Sequence, residues 1–487
     1  MSRNTKKQQM DPHHDHGPPI TRRDFISRGL ITGGGLMLAP SLLSILLKSE
    51  MAEAALTCSS GSSAPGLIPF LSIDCAGGAS LSGNAVVGSQ ASGALVPLTS
   101  YGKLGLSYNP ATTPGSIDTR FGAGFHAGPS PADSTKVISK IFEGILATAS
   151  ATTQANTRIV TICHSAQDDS QNNELNPVVS VAKAGLAGTY YRSGMGTSNS
   201  TSGGNSAPSL ADGSLQPMYA SSVSSVIGAL SYGTKLGAYT TAQKTEMAKA
   251  ISSLSQSQAT RFAALSPGDQ FQQLVNCGFI SNQSLAAAAP AVDPRTNAVM
   301  QAIYGITTTS NDSNALNAAV VYNVLMGNSG PGTISASGCD YHNQKPPGDV
   351  DHGDNVDLKI GQLIGRAIEA AAQLGKPLFI SVFSDGSVIS NPDTRVWVSD
   401  NGSASLALLV LYKPAGLPAN KNSQIGSYTS GQTASRTPFF AASPKFTSYV
   451  MLANYLSVCG QLGSFSGMAP SGFPTDTATL NSIIGFG

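Results

Sequence analysis

Tryptophan occurs once in this 487-residue chain, and only 11% of its side chains are charged. So little charge leaves no basic stripe for gripping nucleic acid. Lys and Arg total 28 and Asp and Glu 27; setting aside the seven cations and five acids before Ala55 leaves 21 against 22. The six cysteines (58, 75, 163, 277, 339 and 459) form no C-x-x-C pair. No G-x-G-x-x-G turn, haem motif or cysteine cluster is present, which removes the usual footholds of a redox cofactor. After Leu47 no apolar run is long enough to span a bilayer.

What is present begins with "TRRDFISRGLITGGGLMLAPSLLSILL". Arg22 and Arg23 are followed by Phe25 two places after the pair, an apolar stretch runs from Leu30 to Leu47, and "MAEAAL" offers Ala52 and Ala54 to a signal peptidase. This pattern predicts a twin-arginine export signal over 1–54 and a chain that meets the twin-arginine translocase. Three glycines and Pro40 weaken the rival reading as a stable membrane anchor. The expected destination is periplasmic or extracellular. Export after cytoplasmic folding argues against a dense disulfide framework.

Strands and helices alternate through the rest. "GLIPFLSID" (66–74), "TRIVTICHS" (157–165), "GTISASG" (332–338), "KPLFISVFSDG" (376–386) and "SLALLVLYKP" (405–414) read as strands. The longer ones are continuously apolar, as in a parallel sheet covered on both faces. "DSTKVISKIFEGILATAS" has helical spacing with Asp133 or Ser134 as N-cap, and apolar residues from Ile360 to Leu374 mark a helix stopped by Gly375. The predicted fold is therefore α/β, a mainly parallel sheet covered by helices. Its first part spans 55–204 and its second 326–487; residues 205–325 read as a helical insertion or cap.

Four residues gather at predicted strand ends: Asp74, His164, Asp340 and Asp385. Ligands of open parallel sheets bind outside those ends. The bland reading is that aspartate caps helices and starts turns. "GCDYHNQKPPGDVDHGDNVD" (338–357) holds five aspartates and two histidines. Asp340 and His342, two apart just beyond a strand, present alternate side chains to one side. Asp349, Asp351, His352 and Asp354 follow two prolines and read equally as a solvated loop, with Asp354 or Asn355 capping the next helix. His164 is a candidate ligand or proton-transfer group. Ser165 is the candidate nucleophile, and Ser80, Ser82 and Ser170 are its rivals; Asp168 and Asp169 lie close by. His126, among glycines, reads as structural.

Several motifs together resemble Tat-exported bacterial proteins of the domain-of-unknown-function family numbered 1501, within the alkaline phosphatase/sulfatase superfamily. They are "TRRDF", "DCAGGAS", "CHSAQDD", "GCDYHNQ", "GQLIGRAIEAAAQLGKP" and "FSDGSV". The resemblance implies an alkaline-phosphatase-like fold, a divalent metal site and hydrolysis of phosphate or sulfate esters. By motif position Asp74, Asp340, His342 and Asp385 become metal ligands. Where the superfamily has an Asp-His dipeptide this chain has Asp385-Gly386, and no histidine follows His352. Asp400 is a substitute donor, turning an otherwise zinc-like site towards magnesium, manganese or calcium. Two functions are thus expected: a metal-dependent hydrolase of a small-molecule ester, or a non-catalytic envelope protein that holds a glycan-derived ligand.

Overall fold

A computed structural model describes residues 63–487 except 65, 92–93, 107–112, 114, 129–137, 169–173, 192, 200–216, most of 231–290, 340–350, 392–396, 399–400 and 415, and except the side chains of 91 and 351–354. Eight strands form the main sheet: β1 Phe70–Asp74, β2 Thr157–His164, β3 Met195–Gly196, β4 Met218–Tyr219, β5 Gly332–Ser335, β6 Leu378–Phe383, β7 Ser405–Tyr412 and β8 Gln424–Ile425. Their spatial order is β8-β2-β7-β6-β1-β5-β3-β4. All run the same way except β7, which is antiparallel to both β6 and β2. The α/β expectation holds, with a mixed rather than wholly parallel sheet.

The long strands form because their apolar residues face helices on both sides. Leu71, Ile73, Ile380 and Val382 point into one core; Phe70, Phe379, Phe383 and Ile162 point into the other. The first core is closed by α1 Lys140–Thr148, α2 Ser313–Leu325 and α3 Asp351–Gln373; the second is closed by α4 Pro444–Val458. Helices α1 and α3 approach backbone to backbone at glycines. A Cβ on Gly361 would stand 2.1 Å from the Ile141 carbonyl oxygen, and one on Gly144 would stand 2.4 Å from that of Leu358. Any side chain there forces the two helices apart.

Three boundaries differ from the sequence expectation. Helix α1 begins at Lys140, because Ser139 caps it by accepting from the Phe142 amide at 3.2 Å; Asp133 and Ser134 lie outside the described residues. Helix α3 begins at Asp351, so Asp354 and Asn355 lie within it rather than capping it. Buried Val356 extends the apolar face one turn earlier, and Asp357 accepts from Asn84 Nδ2 at 2.8 Å. Finally, residues 291–325 join the core of the sheet: Ala318 and Val320 of α2 share a cluster with Ile73 of β1. Gly332 of β5 sits so close that a Cβ would meet Val324 and Val320 at 2.8 and 2.9 Å. Of the expected cap, 205–216 and most of 231–290 lie outside the described residues.

Among the described residues no helix is long and apolar enough to cross a membrane. Cys75, Cys163, Cys339 and Cys459 are free thiols.

Candidate functional site

The C-terminal ends of β1 and β6 lie side by side, with Asp74 opposite Phe383 in the ladder. Beyond them the chain makes two turns that clasp each other. The first, Cys75 to Ala79, needs Gly77 and Gly78 at φ of 103° and 109°, a region that side-chain-bearing residues rarely enter. The Gly77 amide donates to Asp385 Oδ1 at 2.7 Å, and the Ala79 amide donates to Ser384 Oγ at 3.0 Å. Ser384 Oγ in turn donates to the Cys75 carbonyl at 2.6 Å.

This clasp holds Asp385 against Asp74. Asp74 is fully buried. Its Oδ2 accepts from Ser335 Oγ at 3.3 Å, while Oδ1 has no hydrogen-bond partner. Burial holds its carboxyl well above the usual carboxylate range, the Asp385 charge pushes the same way, and Asp168 adds to it. Asp168 is tied in through the backbone. Its amide donates to the Asp385 carbonyl at 2.7 Å, and its Oδ2 accepts from the Leu175 amide at 2.9 Å. Asp385 and Asp168 thus lie near enough to act on buried Asp74, one of whose carboxylate oxygens is bare.

Beneath them lies a polar layer within the sheet. Ser72 Oγ donates to Asn176 Oδ1 at 2.8 Å and lies 3.1 Å from Ser381 Oγ; Asn176 Nδ2 donates to Thr333 Oγ1 at 3.1 Å. Buried polar groups persist where each finds a partner. The signal was visible as a single serine interrupting each of "FLSID" and "FISVF". Asp168, grouped in the sequence with its polar neighbours, is brought beside Asp385 by its hydrogen bond to the Asp385 carbonyl.

His164 ends β2 and faces Ser405 of β7. Two strands, β7 and β6, stand between β2 and β1, so three strand spacings put it about 14 Å from Asp74. The imidazole is fully buried and neither ring nitrogen has a hydrogen-bond partner. Burial lowers its pKa to about 4, against a weaker opposite pull from the Ala166 backbone, so it is neutral at pH 7. Ser165 follows, with its Oγ donating to the Ala441 carbonyl at 3.2 Å.

The remaining candidates divide cleanly. His126 is buried at the end of a short strand, its ring edge-to-face on Tyr101 at 4.8 Å, and burial lowers its pKa to about 3; it packs as a structural residue. Ser80 and Ser82 are buried on the short helix after the glycine turn, where Ser82 hydrogen-bonds Tyr428. Asp340, His342, Asp349, Asp169, Ser170 and Asp400 lie outside the described residues, as do the side chains of Asp351, His352 and Asp354. Among the described residues no three His, Cys, Asp or Glu side chains are arranged to hold a metal ion.

Because β7 runs against its neighbours, its start lies at the same sheet edge as the end of β2. The turn before it therefore faces Ser165 and Gln167. Together with the 427–437 loop they enclose an open trough of about 890 Å³.

The chain matches no family model, no curated protein and no solved structure.

Proposed function

We propose that this chain is an exported hydrolase of phosphate or sulfate esters that works with a divalent cation. The observation that carries the reading is the bare Oδ1 of buried Asp74 beside Asp385. Buried charges in proteins are paired or coordinate metals, and here the partnerless Oδ1 of Asp74 lies within reach of the Asp385 charge. Hard oxygen donors suit magnesium, manganese or calcium better than thiolate-seeking metals. Asp74 and Asp385 would hold the ion, completed by Asp340 and His342. A divalent ion there would polarise the ester oxygen and lower the pKa of a bound water. The protein's own part is positional: the Gly77 amide fixes the Asp385 carboxylate and the Ser335 hydroxyl fixes that of Asp74.

The resemblance of "DCAGGAS", "GCDYHNQ" and "FSDGSV" to the alkaline phosphatase/sulfatase superfamily supports the same chemistry, and the "TRRDF" leader supports export. Asp385-Gly386, where that superfamily has Asp-His, favours a second reading: a non-catalytic envelope protein on the same fold.

Metal analysis of the exported protein, together with turnover of an aryl phosphate and an aryl sulfate, separates the two. Stoichiometric metal with turnover, both lost in Asp74→Asn, supports the hydrolase. Metal-free protein without turnover sinks it.

A further inference from the structure

We propose that the trough beside Ser165 binds a polyhydroxylated ligand carrying one anionic group, a sulfated or uronate-bearing saccharide. The proposal does not rest on the hydrolase reading, because the trough lies on the β2–β7 side of the edge and includes none of the acidic trio.

Its lining sets the chemistry. Ser165, Gln167, Asn401, Ser403 and Thr433 present hydroxyls and amides, groups that both donate and accept, as sugar hydroxyls do. Among the described residues that line it, Arg436 is the one that carries a charge. That guanidinium is exposed and makes no ion pair or hydrogen bond with a described residue. A guanidinium presents parallel N–H donors that match a sulfate or carboxylate bidentately. The volume, about 890 Å³, is in the range of small-molecule sites.

The walls are already in place, although they come from segments more than 200 residues apart. The Ser165 amide donates to the Ala441 carbonyl at 2.6 Å, the Ala434 amide to the Ser403 carbonyl at 2.7 Å, and the Ser435 amide to the Ser427 carbonyl at 2.8 Å. Asn401 Oδ1 accepts from the Ser403 amide at 2.7 Å, shaping the turn that carries both. Gly402 packs so tightly on the opposite wall that a Cβ would stand 3.1 Å from the Ser165 carbonyl oxygen. Ordered polar walls lower the entropic cost of holding a polar ligand.

The test is calorimetric titration of the metal-stripped mature protein with three disaccharides of one backbone: 6-O-sulfated, uronate-bearing and neutral. One or both anionic sugars should bind at least tenfold tighter than the neutral one, and which does so identifies the anion. Arg436→Gln should reduce that binding to the neutral level with an unchanged melting curve, since the side chain is exposed. Ser403→Ala should weaken all binding sugars alike. Equal affinity for the three, no binding at millimolar concentration, or full affinity in Arg436→Gln would each overturn the proposal. Metal-dependent turnover at Asp74 could still stand after any of those results, so the two readings fail separately.

Discussion

Two polar regions share one edge of the sheet and are opposite in kind. At the β1–β6 end, buried carboxyl groups lie near one another and Asp74 has one oxygen bare. At the β2–β7 end, hydroxyls and amides line an open trough with a single exposed arginine. The comparison teaches that solvent decides how much an imbalance of charge matters. A buried excess acts on the fold itself, because the charged form is poorly solvated. An exposed excess is screened and acts only on what binds.

The largest expected effect tests the buried end. Asp74→Asn should reduce the affinity for manganese or magnesium by at least about 100-fold, as loss of one of about four ligands does. The same variant should raise the stability of metal-free protein at pH 7.5, by about 1 kcal/mol or more, since it removes an uncompensated carboxylate. Urea denaturation with and without metal checks both. A variant less stable than wild type without metal would break the contrast between the two ends.

The second expectation is a dependence on pH. The folded-state pKa of Asp74 is raised, so the folded protein holds this proton where the unfolded chain has released it. Its carboxylate therefore destabilises metal-free protein increasingly as pH rises above about 4. The gain from Asp74→Asn should shrink as pH falls towards 4. His126 acts in the opposite direction: its pKa falls from 6.5 to about 3 on folding. Its contribution is present above pH 6.5 and is lost progressively as pH drops towards 3, on the order of 2–4 kcal/mol. His126→Phe should flatten that acid limb in urea titrations between about pH 6.5 and 4.5; an unaltered slope refutes the assignment.

Smaller effects belong to the open end. In Gly402→Ala the new Cβ would meet Gln167 Cβ and the Ser165 carbonyl oxygen, both at 3.1 Å. The 402 turn must shift by a few tenths of an ångström, at a cost of about 1 kcal/mol. A melting temperature lowered by a few degrees is expected, and no change would mean that the wall is softer than drawn. Arg436→Gln is the smallest. As an exposed residue without an ion pair among the described residues, it should alter stability by less than about 0.5 kcal/mol. A larger loss would show that the arginine supports the trough rather than faces a ligand.

Much of this was legible in the residues. The runs "TRIVTICH" and "SLALLVLY" are strands because they are rich in β-branched and apolar residues that need cover on both faces. Helix α3 could be placed from its apolar face, and Gly375 at φ 65° is the stop expected after it. Asp74 and Asp385 could be picked out because aspartate follows a buried strand in each case. Asp168 could not, since its link is to a carbonyl 217 residues away, and nothing in "CHSAQDD" encodes that partner. Nor could the trough, whose walls contribute one or two ordinary serines, threonines or amides apiece.

By itself the sequence determined the local elements and the acidic ends of β1 and β6, because periodicity, glycine stops and strand-terminal aspartates act over a few residues. Tertiary structure alone decided that β7 runs backwards, that His164 lies three strands from Asp74, and that Gly402 packs beside Ser165. A strand's residues specify which faces are buried but carry no mark of the direction of its neighbours. Direction and neighbourhood come from which long-range pairings let the long strands bury both faces at once.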